Sequence, residues 1–236
     1  MGAAPVAEDA RSSQKAHASG GGASGYSREV AQMAIGDPTA SVALLESPEG
    51  QRLVGSLGVA GQRSWARWQR AWEAQQSGAF CAPASVFAAL RFFGVHGNWS
   101  QHRLYDEVIV PRGLMTRGIS FSAGAALARA VGFQVEERSC ADEAELARLL
   151  LRDMQDAFED GGELCLLVNY VRASGGHWSP LAAFAQDHVL IMDTNPQRLP
   201  HHWVPLSSLV RSLCLHNQVT GTPRGYLSLR LPARAS

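Results

Sequence analysis

Residues 75 to 94 constrain this chain more than any other stretch. Small and polar residues, Gln75-Gln76-Ser77-Gly78-Ala79, give way at Phe80-Cys81-Ala82-Pro83-Ala84-Ser85 to an apolar segment, Val86 to Phe93, closed by Gly94. The pattern predicts a helix with Cys81 at its N-terminus, where unpaired backbone N–H groups and the helix dipole favour the thiolate. A thiolate so placed is a nucleophile. The same pattern also suits a small buried hydrophobe, the commoner role of a single cysteine ahead of a helix. Gln75 lies six residues upstream, where its side-chain amide can point at the same space as the Cys81 backbone N–H. Two donors aimed at one developing oxyanion lower an acyl-transfer barrier by about 3 kcal/mol.

A cysteine nucleophile needs a base and a group that orients the base, and neither has to be near in sequence. Ala173-Ser174-Gly175-Gly176-His177-Trp178-Ser179-Pro180 places a histidine ahead of an apolar strand, Leu181 to Ala185. A second strand, Val189-Leu190-Ile191-Met192, ends in Asp193. Joining the two antiparallel at Gln186-Asp187-His188 brings the start of the first beside the end of the second, so His177 and Asp193 become neighbours. Asp187 and His188 are the rival pair, at the far end of that hairpin. Taken singly, His177 reads more readily as a core histidine and Asp193 as a turn residue before Asn195-Pro196.

Six strings in order resemble the catalytic domain of the phytochelatin synthase family: Gln75 with Phe80-Cys81 and Ala84-Ser85, Gly118-Ile119-Ser120-Phe121, Gly176-His177-Trp178-Ser179-Pro180, Leu190-Ile191-Met192-Asp193, Pro200-His201-His202-Trp203-Val204-Pro205-Leu206, and Arg224-Gly225-Tyr226. The resemblance runs from about Leu44 to Leu231. It implies an α+β, papain-like cysteine peptidase fold, with an N-terminal helical half whose nucleophile helix packs on a C-terminal antiparallel sheet. It implies a catalytic set of Cys81, His177, Asp193 and Gln75, and substrate contacts at Arg224, Tyr226, Asn217, Ser77 and Gly176. The implied reaction is attack of Cys81 on the Cys-Gly amide of glutathione, loss of glycine, and passage of γ-glutamylcysteine to water or to a second glutathione. No cofactor is obligatory in that scheme. Cd²⁺ or Zn²⁺ enters as the glutathione thiolate that serves as acceptor, and no fixed metal site is implied.

Three positions depart from the family pattern. The usual Arg three residues after the triad Asp is Pro196 here, the acid seven residues before Arg-Gly-aromatic is Asn217, and the acid two residues after the oxyanion Gln of the plant enzymes is Ser77. Fewer acids weaken the hold on a cationic amine. Two other readings therefore stand beside the first: a related acyltransferase or amidase acting on another substrate, and a silent binding or effector protein on the same scaffold.

The rest of the chain sets limits. With 236 residues, 46 % hydrophobic and 18 % charged, it predicts one domain over residues 28–236 behind a Gly-, Ala- and Ser-rich disordered tail, residues 1–27. A formal net charge of zero gives no positive field for nucleic acid or an anionic membrane, and no apolar run is long enough to span one. The expected partner is glutathione or another small peptide-like molecule, and a homodimer is compatible with the sequence. Four cysteines, 81, 140, 165 and 214, lack CxxC spacing and disulfide density, which favours a cytoplasmic protein. Trp65, Trp68 and Trp72 read as one packed helix face, and His96 and His102 as surface residues.

Helices are expected from Ser47-Pro48-Glu49 to Gly58, over 123–131 and 143–156, and from Val204 to Leu213 opened by Pro205. Strands are expected over 133–137, 164–171 and 226–231. The small residues at 123 to 126 are expected to face the Cys81 helix.

Overall fold

The computed structural model describes residues 30–233 except 33, 38, 116, 117, 159–162 and 219. The expected tail, residues 1–27, lies outside the described residues. Along the chain run β1 (Ala43–Leu44), α1 (Pro48–Gly55), α2 (Val59–Ala71), α3 (Cys81–Phe92), α4 (Gln101–Leu104), a π-helical turn (Tyr105–Ile109), α5 (Phe121–Ala130), β2 (Gln134–Arg138) and α6 (Glu143–Phe158). Strands β3 (Cys165–Arg172), β4 (Gly175–Ala185), β5 (His188–Ile191) and β6 (His202–Pro205) follow, then α7 (Leu206–Cys214) and β7 (Gly225–Arg230).

All seven strands form one antiparallel sheet in the order β1-β6-β5-β4-β3-β7-β2. Its middle strands carry apolar side chains on both faces because both faces are covered. On one, Cys165, Leu167, Trp178, Leu190 and Trp203 meet α2, α3 and α5; on the other, Leu166, Val168, Leu181, Val189 and Val204 meet α6 and α7. The alternation of Cys165 and Leu167 against Leu166 and Val168 shows strand pleating within an unbroken hydrophobic run. The arrangement is α+β, and the expected packing of the Cys81 helix on the sheet holds.

Local chemistry explains the helix ends. Ser47 caps α1, its hydroxyl accepting from the Gly50 N–H at 3.1 Å, with Pro48 in the first turn. Asp142 Oδ1 accepts from the Ala144 and Glu145 N–H groups at 2.9 and 3.3 Å and opens α6. Ser120 caps α5, so that helix begins two residues before the expected start. Trp68 is fully buried, and the Arg67 guanidinium lies 4.0 Å over the Phe92 ring rather than on the tryptophans.

Two expectations are corrected. Val204 and Pro205 belong to β6, not to the helix that follows, because pairing of His202–Pro205 with β5 outweighs the helix-start signal of Pro205. Strand β4 begins at Gly175 rather than Leu181, extended by its ladder with β3, and it bulges between Leu181 and Ala183. Helix α5 contacts α3 as expected, and at Gly124 it makes room for Trp178: a Cβ there would stand 2.4 Å from Trp178 Cζ2.

Candidate active site

Helix α3 is buried at every position except Cys81 and Arg91, which are partly buried. Its first residue meets β4, where the ladder with β3 sets His177 opposite Tyr170. The chain leaving β5 is held by a hydrogen bond from the Met192 N–H to the Pro180 carbonyl, 3.0 Å, and delivers Asp193. The Cys81 sulfur is hydrogen-bonded to the His177 imidazole. His177 Nε2 lies 3.1 Å from Asp193 Oδ1, which leaves Nδ1 for the sulfur. Sequence reasoning placed these three residues together, and they are together. Asp187 and His188, the rival pair, bond to each other at 2.5 Å in the distant turn.

The electrostatics agree from all three members. Burial works to raise the Cys81 pKa, yet the hydrogen bond and charge of His177, with the backbone groups of Trp178 and Ala82, outweigh it and leave the thiol below its ordinary value. Burial works to lower the His177 pKa, and Asp193 and Cys81 outweigh it, so the imidazole rises. Asp193 is also opposed by burial, but His177 and Arg172 hold it well below the usual carboxylate range. Both directions favour the thiolate–imidazolium form of the pair, steadied by a carboxylate.

Sequence reasoning missed four residues of this cluster. Arg172, at the end of β3 and buried, donates from Nη1 to Asp193 Oδ2 at 2.5 Å. Tyr170 reaches the same oxygen at 3.4 Å. The Thr194 hydroxyl lies within 3.1 Å of Gln75 Oε1 and 3.2 Å of both His177 Nε2 and the Trp178 carbonyl. Asn169 Oδ1 accepts from Arg224 Nη1 at 3.1 Å. The available signal was the string Asn169-Tyr170-Val171-Arg172, polar groups at the end of an otherwise apolar buried strand, which must be satisfied by something.

Gln75 is tied to the site through Thr194, whose carbonyl accepts its backbone N–H at 2.7 Å. Its amide nitrogen donates to the Ser77 and Gly78 carbonyls at 2.8 and 3.2 Å, so the loop it caps takes those protons. Cys81 and Trp178 stand on a cleft of about 620 Å³, within the range of small-molecule sites. Gly176, Asn217 and Arg224 line it. A Cβ on Gly176 would fall 2.4 Å from Arg224 Nη1, so only glycine lets the guanidinium lie against the strand. Two expected contacts are corrected. Tyr226 is fully buried toward α6 and donates its hydroxyl to Asp153 Oδ2 at 3.1 Å, because strand alternation turns it away from the cleft. Ser77 is exposed on the loop before α3 and does not line the cleft.

Among the described residues, no group of three or more His, Cys, Asp or Glu is placed to hold a metal ion, and no helix is long and apolar enough to cross a membrane. Cys165 is buried, and that burial pushes its thiol far up.

The site is a cysteine at the head of a buried helix, facing a histidine and an acid presented by an antiparallel sheet. The chain belongs to the phytochelatin synthase family, whose family model matches residues 38–226. It is 28 % identical over 209 residues to glutathione gamma-glutamylcysteinyltransferase 3 of Lotus japonicus, covering 80 % of this chain and 42 % of that protein. It is 25 % identical over 190 residues to glutathione gamma-glutamylcysteinyltransferase 1 of Arabidopsis thaliana, covering 69 % and 36 %. The chain thus spans less than half the length of these plant relatives. Among solved structures it is similar to the peptidase domain of Streptococcus ComA, a bifunctional ABC transporter, at 15 % identity and TM-score 0.43, covering 67 % of this chain and 96 % of that one. A double glycine motif protease from an AMS/PCAT transporter matches at 17 % identity and TM-score 0.41, covering 67 % and 88 %.

Proposed function

We propose that this chain is an acyl-transfer enzyme of the phytochelatin synthase kind, acting on glutathione through a thioester on Cys81. The observation that carries the reading is the Cys81 thiol, lowered by a raised His177 that is itself held by Asp193, at the floor of an open cleft. In the first step the Cys81 sulfur bonds to the carbonyl carbon of the Cys-Gly amide. The negative oxygen that forms is met by the Cys81 backbone N–H, and by Gln75 if its amide turns from the Ser77 carbonyl. The C–N bond then breaks as His177 gives its proton to the leaving nitrogen, and glycine departs. In the second step His177 takes a proton from water or from the amine of a second glutathione, which attacks the thioester and frees Cys81. Arg224 takes the substrate carboxylate as a bidentate partner. Cd²⁺ or Zn²⁺ acts as part of the acceptor, carried as a glutathione thiolate, and no resident cofactor is needed.

Purified protein incubated with glutathione, with and without Cd²⁺, is expected to release glycine together with γ-glutamylcysteine or longer oligomers. Cys81→Ser must abolish whichever product is seen. Absence of all three products from folded protein ends the reading for glutathione. A second reading, an acyltransferase or amidase for another substrate, is favoured by one observation: among the described residues lining the cleft none is an Asp or Glu.

A further inference from the structure

Arg224 is 6 % exposed and lines the cleft. Its one side-chain hydrogen bond among the described residues is to the neutral Asn169 side chain, its Nε is buried with no partner, and burial lowers its pKa. A nearly buried cation without a counter-ion is costly unless an anion arrives to pair with it. The other cleft-lining arginine, Arg172, differs in this respect, because Asp193 already matches its charge. Asp37, next to the cleft-lining Gly36, is engaged by Arg211 at 2.9 Å and by Thr39. The remaining polar side chains lining the cleft among the described residues are amides, hydroxyls, His216, the Trp178 indole and the Cys81 thiol. Apart from the Cys81 sulfur, whose charge His177 matches, the described lining therefore offers a fixed positive charge for an anion and no negative charge for a cation.

We propose that the donor is recognised through a carboxylate alone, and that the substrate class is the ω-carboxyacyl-cysteinyl peptide, with or without an amine beside the carboxylate. This deepens the acyl-transfer reading and rests on it. An α-ammonium brought in with the carboxylate approaches the Arg224 guanidinium without an acid to offset the repulsion, so it gains nothing from the site. Asn217, in the chain after α7, lines the same cleft, so an acid introduced there would add a negative charge to the lining.

Three donors test this: glutathione, glutaryl-cysteinylglycine, which lacks the amine, and 4-aminobutanoyl-cysteinylglycine, which lacks the carboxylate. Glycine release should give glutaryl-cysteinylglycine a kcat/KM within about threefold of glutathione or above it, and lower the 4-aminobutanoyl peptide by about a hundredfold or more. Asn217→Asp should move the preference toward glutathione by about tenfold. A loss of tenfold or more for the glutaryl peptide in the unsubstituted protein overturns the proposal. Calorimetric binding of the same three peptides to Cys81→Ala separates this from failure of the activity reading. If none of the peptides releases glycine yet the glutaryl peptide binds as tightly as glutathione and the aminobutanoyl peptide does not bind, the acyl-transfer reading fails and the recognition rule stands. Tighter binding of glutathione by tenfold, or no binding of any of the three, overturns the rule itself.

Discussion

Asp193 is shared between two cations: Oδ1 lies 3.1 Å from His177 Nε2, and Oδ2 lies 2.5 Å from Arg172 Nη1. The carboxylate is fully buried and Arg172 is 5 % exposed. An acid that only oriented the imidazole would leave its second oxygen to be satisfied by something else, and here β3 supplies that partner. The base is therefore held from two strands and the segment after a third.

Arg172→Met should damage stability and chemistry together. Removing one partner of a buried pair leaves the other charge uncompensated and costs about 3–5 kcal/mol. Urea denaturation of Arg172→Met is expected to show that loss. Unchanged stability would mean the pair contributes nothing net. Asp193→Asn, which keeps the shape but not the charge, should lower kcat by about 10³–10⁴ with much less effect on KM.

The pH dependence follows from the opposed shifts of the nucleophile and base. Cys81 lies below its ordinary value of 9.0 and His177 above its ordinary 6.5. The reactive thiolate–imidazolium pair is populated between the two apparent values of the coupled couple. The acid limb of kcat/KM should therefore fall well below the ordinary thiol range, and the alkaline limb above the ordinary imidazole range. In Asp193→Asn the alkaline limb should move down, since the charge that raises the imidazole is gone. Alkylation of Cys81 by iodoacetamide across pH gives the thiolate limb independently. A reactivity that rises only near the ordinary thiol value contradicts the pair.

Gly124 on α5 controls the indole beside the base. A Cβ at 124 would lie 2.4 and 2.6 Å from Trp178 Cζ2 and Cη2, and Trp178 also donates from Nε1 to the Ile119 carbonyl at 3.0 Å. Gly124→Ala must push a fixed ring, not a flexible tip. It should destabilise by about 1–3 kcal/mol despite the better helix propensity of Ala, and lower kcat by displacing His177. Thermal unfolding with glycine-release kinetics checks both. A stabilised variant with full activity would show that the indole can yield.

The helix starts at Pro48 and Glu143, the buried run of β3, the hairpin of β4 and β5 and the cysteine at the head of α3 were all legible in the sequence. Each is a local statement, carried by a cap residue, an apolar run or a turn, and the physics acts over a few residues. The hairpin even gave a long-range result, because antiparallel pairing converts 16 residues of separation between His177 and Asp193 into contact. The family resemblance reached the same three residues. Strand β6 was not legible, because its pairing with β5 is tertiary and the local signal of Pro205 pointed to a helix.

The sequence by itself determined which atoms can react: a thiol at a helix head, an imidazole after a glycine pair, an acid at a strand end. The tertiary structure alone decided their surroundings. It put Arg172 behind Asp193, turned Tyr226 toward Asp153 and away from the cleft, and left Arg224 buried at the cleft without an acid among the described residues. The physical reason is range. Covalent chemistry and local propensity are written residue by residue, whereas charge compensation and burial depend on which distant side chains the packed sheet brings within a few ångströms.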